Sequence, residues 1–319
     1  MVREEDFECI NSTRDGMFTT GEKGVIKILL SHDHKVVLVC FEDGKCLLGI
    51  CTKKEYIAYY PMNDLKICYP IKAVLMDLDG TTLYSEQFWI SIIEKTVNAV
   101  MVGNKISFSE EDYPYVSGHS VSEHLEYCRE KYNISVDVVD MMKEYYDIAR
   151  EELQQLVEGK HCDFLIEPAR YLVKFLSALK ERNIKVGLVT SGLYEKGYPE
   201  IYEVCRKLNL GRPEDVYNSI ITAGMPLGDH KVGTLGELAA KPHPWLYLES
   251  AIVGLGLELQ DRNHIIGIED STAGVCALRS AGIPIIGVAG GNIISGGMKS
   301  LCIDVCDDLE EIYQKYICK

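Results

Sequence analysis

Apolar positions along the chain fall into two regimes. Up to about residue 70 they form the runs VIKILL (25–30), VVLVCF (36–41) and CLLGIC (46–51), each of strand length. The last two flank Glu42-Asp43-Gly44-Lys45, a turn suited to a two-residue hairpin. Residues 1–70 are therefore expected to form a small antiparallel β extension. From Lys72 onward strands and helices alternate. KAVLMD, KVGLVT, SIIT, HIIGIE and PIIGVA are short and rich in Val and Ile, as suits strands buried on both faces. Ahead of KVGLVT, PARYLVKFLSALKERN sets Leu172, Phe175, Leu176 and Leu179 on one helical stripe, with Pro168 in its first turn. The fold class expected is α/β, a Rossmann-like, doubly wound parallel sheet.

Between the first and second of these strands lie about 100 residues without a convincing strand, far too long for an ordinary crossover. Helices are expected over FWISIIEKTVNAVM, from a capping box at Ser120-x-x-Glu123, and over roughly 136–157. The domain reading is an N-terminal β extension (1–70), a core (71–84 and 168–319) and a helical cap (85–167). Because the insertion leaves the sheet just beyond the first strand's carboxyl end, where such sheets bind ligands, it is expected to act as a lid.

Composition narrows the function classes. Lys and Arg number 33 against 48 Asp and Glu, a formal net charge of −15. That field repels nucleic acid and anionic membrane, so neither is expected as a partner, and an anionic substrate would need a local cation or metal. No stretch approaches the roughly 18–20 apolar residues of a membrane span, and MVREEDFECI has no apolar signal core. The expected location is cytoplasmic. The 12 cysteines are scattered, form no CxxC pair and often sit in apolar runs, which reads as reduced core residues rather than a disulfide framework.

Candidate chemistry lies at the strand ends. The run Lys72 to Asp77 ends in Asp77-Leu78-Asp79-Gly80-Thr81-Thr82. Two acids two residues apart, with a glycine freeing the backbone, can supply a nucleophile and an acid/base around one metal; the plainer reading is a solvated strand end. Thr190 and Ser191 close KVGLVT before Gly192 and can hold phosphoryl oxygens, or merely end a strand. Lys241 precedes Pro242-His243-Pro244 and a helix with Trp245, Leu248, Ile252 and Leu255 on one stripe. A cation at a helix start is disfavoured by the macrodipole unless an anion lies beside it. Glu269 and Asp270 end HIIGIE before Ser271; Asp270 could cap the next helix. Together with Asp77 and Asp79 they make four carboxylates that would repel one another unless a hard dication such as Mg²⁺ bound among them.

In order and spacing, DLDGTT (77–82), LVTSG ending at Gly192, KPHP from Lys241 and IEDSTAGV from Ile268 resemble the four signature motifs of the haloacid dehalogenase superfamily. The resemblance covers about residues 71–319, and the helical insertion matches the cap position of the β-phosphoglucomutase and phosphatase-like branch. It implies that Asp77 attacks phosphorus to form an aspartyl phosphate, while Asp79 protonates the leaving oxygen and then activates water. It also implies Mg²⁺ held by Asp77, Asp79 through its carbonyl, and Asp270, with Glu269 as a direct or outer ligand. Thr190, Ser191 and Lys241 would hold phosphoryl oxygens. Asp79 points to phosphoryl transfer, since true dehalogenases lack that acid, and the cap loop Ser117-Gly118-His119-Ser120 has no Schiff-base lysine.

His119 and Ser120 are the candidate substrate residues of the cap. Sugar phosphomutases of this type carry an arginine near the His119 position, so the reading favours a phosphatase acting on a small phosphorylated metabolite, a sugar phosphate for example. A β-phosphoglucomutase-like enzyme is the alternative, and a non-catalytic metabolite-binding protein a more distant one. Glu123 and His124 read as a helix cap and a surface residue. Thr222 to Ala240 reads as a solvated loop, and His32-Asp33-His34 is too sparse a ligand set for a metal. The β extension fits a homo-oligomer contact, a metabolite module or a brace.

Overall fold

In the computed structural model, which describes residues 7–318 other than 32–33, 52–56, 102, 104, 110, 113–120, 161–164, 227–233 and 238, the chain forms two compact units. One holds residues 1–82, 169–194 and 213–319; the other holds 83–168 and 195–212. Elements are numbered along the chain.

In the first unit, β1 (Phe7–Ile10), β2 (Val25–Ser31), β3 (Val36–Phe41), β4 (Cys46–Cys51) and β5 (Ile57–Pro61) make an antiparallel meander in sequence order. The turn between β3 and β4 differs from the two-residue expectation. Phe41 and Lys45 still bond across it, Phe41 N–H to Lys45 O at 2.9 Å, and Gly44 sits at φ 81. That is a three-residue loop closed by a left-handed glycine. Side chains alternate along β3 as the pleat requires. Val36 and Leu38 join the main core with Phe7, Leu29 and Leu48, while Val37 and Val39 join a smaller cluster with Val25, Ile28 and Ile57. Phe18 covers that second face edge-on to Phe41 and Tyr59.

The main core runs without a break from this meander into a second, wholly parallel sheet. Its strands β6 (Ala73–Asp77), β9 (Lys185–Val189), β10 (Ser219–Ile221), β13 (Ile265–Glu269), β14 (Ile285–Val288) and β15 (Asp304–Cys306) lie in the order β10-β9-β6-β13-β14-β15. Five are the expected strands; β15 was not foreseen. The order reverses at β6, which makes the ends of β6, β9 and β13 a topological switch point.

Helix α4 (Leu172–Glu181) buries the expected Leu172, Phe175, Leu176 and Leu179. It starts later than the sequence suggests, because Tyr171 takes a left-handed conformation at φ 69. Helices α6 (Pro213–Val216), α7 (Trp245–Leu248), α8 (Thr272–Ala281) and α9 (Leu309–Ile312) complete the unit, with a hairpin of β11 (Gly224–Pro226) and β12 (Thr234–Glu237) in the segment expected to be a plain loop. After α7 a π-turn over Glu249–Gly254 changes the helical phase. Leu246, Tyr247 and Ala251 are buried while Trp245 is 57% exposed, so the stripe of Trp245, Leu248, Ile252 and Leu255 is not the buried one; only Leu255 of it lies in the core.

The second unit is helical. A short pair, β7 (Leu83–Tyr84) with β8 (Glu167–Pro168), frames α1 (Glu86–Val100), α2 (Val121–Lys131) and α3 (Val138–Val157), close to the three helices expected. All but the first residue of α5 (Tyr194–Lys207) belongs here too. Its buried Glu200 accepts from Trp89 Nε1 of α1 at 2.7 Å. His124 is buried with Leu125 and Cys128 on one face of α2, where a surface position was expected. Among the described residues no helix is long and apolar enough to cross a membrane.

Candidate active site

The DLDGTT segment folds back on the end of β6. Thr82 Oγ1 donates to the Asp77 carbonyl at 2.5 Å, and Thr82 N–H donates to Leu78 O at 2.9 Å. Gly80 turns the chain at φ 83, and a Cβ there would run into the Asp270 carboxylate. A glycine is required twice over, for the left-handed turn and for the close approach of the two strand ends.

Lys241 is the centre of the charge arrangement and is buried, its side chain 4% exposed. Nζ donates to Asp77 Oδ1, to Glu269 Oε1 at 2.7 Å and to Val189 O at 3.1 Å, and it stands 5.0 Å from the Tyr247 ring centroid. Burial opposes its charge, but Asp77 and Glu269 outweigh that and hold the ammonium above its ordinary pKa. The conflict with a helix start, read from the sequence, is thus met by two carboxylates. The Lys241 backbone N–H donates to Ser191 Oγ at 3.2 Å, and Thr190 Oγ1 accepts from Gly192 N–H at 2.9 Å. Two residues on, His243 Nδ1 and Tyr60 Oη of β5 are 2.9 Å apart, a hydrogen bond between the meander and the Lys241 loop.

Glu269 is fully buried and fully engaged. Oε1 accepts from Lys241 and from Tyr247 Oη, the latter at 2.5 Å; Oε2 accepts from Ser271 N at 3.2 Å and Oγ at 2.9 Å. A Cβ at Gly274 would overlap its carboxylate. Ser271, not Asp270, caps α8, accepting from Gly274 N–H at 3.1 Å. Asp270 instead lies between Gly80 and Gly291, where either Cβ would collide with it.

One ligand atom each from Asp77, Glu269 and Asp270 lies within 4.8 Å of the others. Burial first, then the neighbouring Glu269 charge, pushes Asp77 well above the usual carboxylate range, against the pull of Lys241. The same two causes push Asp270 up to about 7, with Asp79 adding to them. Asp79 is half-buried and its side chain lies outside this trio. His119 and Ser120 lie outside the described residues.

Tyr247 and the glycines at 274 and 291 were not singled out by sequence reasoning. Tyr247→Phe is expected to remove one of four donors to Glu269 and lower stability by about 1.5 kcal/mol, the low end for a bond to a charged group because three donors stay. Urea unfolding of the metal-free protein checks this; an unchanged midpoint would mean the hydroxyl contributes nothing.

The model of a protein family described as haloacid dehalogenase-like hydrolase matches residues 71–282. The chain belongs to the haloacid dehalogenase-like hydrolases. Solved structures of similar fold include a Thermotoga maritima protein provisionally named β-phosphoglucomutase, 21% identical, covering 76% of this chain and 97% of that one at a TM-score of 0.53. A Haemophilus somnus protein provisionally named phosphoglycolate phosphatase is 18% identical, covering 76% and 97% at a TM-score of 0.54. CbbY from Rhodobacter sphaeroides, solved with phosphate, is 18% identical, covering 76% and 96% at a TM-score of 0.50. These likenesses establish a shared fold. The residues of this hydrolase also suit a hard dication: three carboxylates converge, two are held above their ordinary pKa by burial and a neighbouring charge, and all the donors are oxygens.

Proposed function

We propose that this hydrolase is a Mg²⁺-dependent phosphatase that cleaves a small phosphate monoester, such as a sugar phosphate, through an aspartyl phosphate on Asp77. The observation that carries the reading is the buried arrangement in which Asp77 and Glu269 share the Lys241 ammonium beside Asp270. Asp77 and Asp270, with the Asp79 carbonyl, would hold Mg²⁺, which neutralises charge so that an anionic nucleophile and an anionic ester can meet. Glu269, occupied by four donors, orients Lys241 and is an outer rather than a direct ligand.

An Asp77 carboxylate oxygen attacks phosphorus, the P–O bond to the ester breaks, and Asp79 gives its proton to the leaving oxygen. Asp79 then takes a proton from water as the water oxygen attacks the phosphoryl group, which frees inorganic phosphate and restores the Asp77 carboxylate. Lys241, Thr190 and Ser191 hold the other phosphoryl oxygens.

The test is release of inorganic phosphate from a panel of monoesters, with Mg²⁺ and with a chelator. Release that stops on chelation and returns with Mg²⁺ is the expected result. Interconversion of sugar phosphates that needs a bisphosphate and releases no net phosphate would replace the phosphatase with a mutase. No turnover, together with no thermal shift from Mg²⁺ plus a fluoride mimic of phosphate, would leave a non-catalytic protein.

A further inference from the structure

Among the described residues Cys128, Cys205, Cys276 and Cys306 are buried, fewer than the mostly buried set the sequence suggests; Cys40 and Cys46 are half-buried and stand directly opposite each other on β3 and β4. The ladder fixes the kind of pair they make. Phe41 N–H donates to Lys45 O at 2.9 Å, and Cys51 N–H donates to Lys35 O at 2.8 Å. Hydrogen-bonded positions alternate along an antiparallel pair, so Lys35, just before β3, and residues 37, 39 and 41 of β3 are bonded to their partners and Val36, Leu38 and Cys40 are not. In a non-bonded pair the Cα atoms are about 4.5 Å apart and the side chains approach closely, within the span of about 4.4–6.8 Å that a disulfide bridges. The Sγ atoms of Cys40 and Cys46 are 2.9 Å apart.

We propose that Cys40 and Cys46 are a reversible dithiol–disulfide couple, oxidised by a small-molecule disulfide such as glutathione disulfide. One cysteine thiolate attacks a reagent sulfur and releases one thiol. The other cysteine then attacks the mixed disulfide, forms the Cys40–Cys46 bond and releases the second thiol. The pair loses two electrons and two protons, and the reagent gains them as two thiols. The bond closes the short hairpin loop and fixes the β3–β4 register. It lies one strand from β5, where Tyr60 opposite Leu48 reaches His243. This inference is independent of the proposed phosphatase reaction.

The experiment uses the full-length chain, treated with reduced or oxidised glutathione, alkylated with iodoacetamide, digested with trypsin and read by mass spectrometry. Cleavage after Lys35, Lys45 and Lys53 puts Cys40 in peptide 36–45 and Cys46, with Cys51, in peptide 46–53. Oxidised protein should give the two peptides joined through Cys40 and Cys46, 2 Da lighter than their sum, and dithiothreitol should separate them. In Cys40→Ser, Cys46 should instead keep a glutathione adduct. Alkylation of both residues after oxidation, or a link that uses Cys51 in place of Cys46, overturns the proposal.

Discussion

Asp77→Asn is expected to lower phosphate release by at least about 10³-fold, because the amide cannot serve as the nucleophile on which the covalent route depends. The fold should not suffer with it. Burial and Glu269 hold the Asp77 carboxyl well above its ordinary pKa, so its ionised form is a cost to the native state at neutral pH. That cost runs from the unfolded value near 4 upward, and the neutral amide removes it while Lys241 keeps Glu269 as partner. Melting in the absence of divalent cation should therefore show an unchanged or higher Tm at pH 7, and activity should vanish in the same preparation. An inactive variant that also melts far below wild type would show a packing defect, and full activity in the Asp77→Asn variant would remove Asp77 from the chemistry.

Lys241→Met should act on both properties. The substitution leaves Asp77 and Glu269 buried without their shared cation, and breaking such a pair costs about 3–5 kcal/mol. Its pH dependence has a definite sign. Lys241 opposes the upward shift of both Asp77 and Asp270, so without it their folded pKa values rise further. The ammonium stabilises the native state only when the carboxylates are charged. The gap between wild type and variant is therefore small near pH 4, widens as pH rises through neutrality, and is lost again on acidification. Urea unfolding from pH 4 to pH 8 without metal measures it, and a gap that does not change with pH would rule out the electrostatic account. On the proposed reaction, turnover falls by about 10²- to 10³-fold, the scale of losing one preorganised contact to the transition state.

The candidate site residues stand out in the sequence because they interrupt the pattern around them. Asp77, Glu269 and Asp270 are acids at the ends of runs that are otherwise wholly apolar, and Gly80 marks a backbone that a side chain would obstruct. Tyr247 was not legible, because regular helical spacing put Trp245 and Leu248 on the buried face, whereas the π-turn at Glu249–Gly254 turns Leu246, Tyr247 and Ala251 inward. Gly291 falls in a loop after β14, and its role depends on Asp270, twenty-one positions earlier, lying against it. The strands β1 (FECI), β5 (IAYYP) and β15 (DVC) are as short as several others but are not unbroken Val- and Ile-rich runs, so composition does not separate them from loop. In the sequence Lys241 reads only as a cation near a helix start; the fold reveals that its counter-ions are the two acids it joins.

The core shared by the meander and the parallel sheet limits where the molecule can be cut. The family match ends at residue 282, before β14 and β15, and starts at residue 71, after the meander. A fragment trimmed to those limits would strip Phe7, Leu29 and Leu48 from the same continuous cluster that holds Leu246 and Tyr247, and would remove Gly291 from beside Asp270. Freshly bared apolar surface of that kind favours aggregation. The limits of the family match and the limits of the continuous core thus differ in this chain.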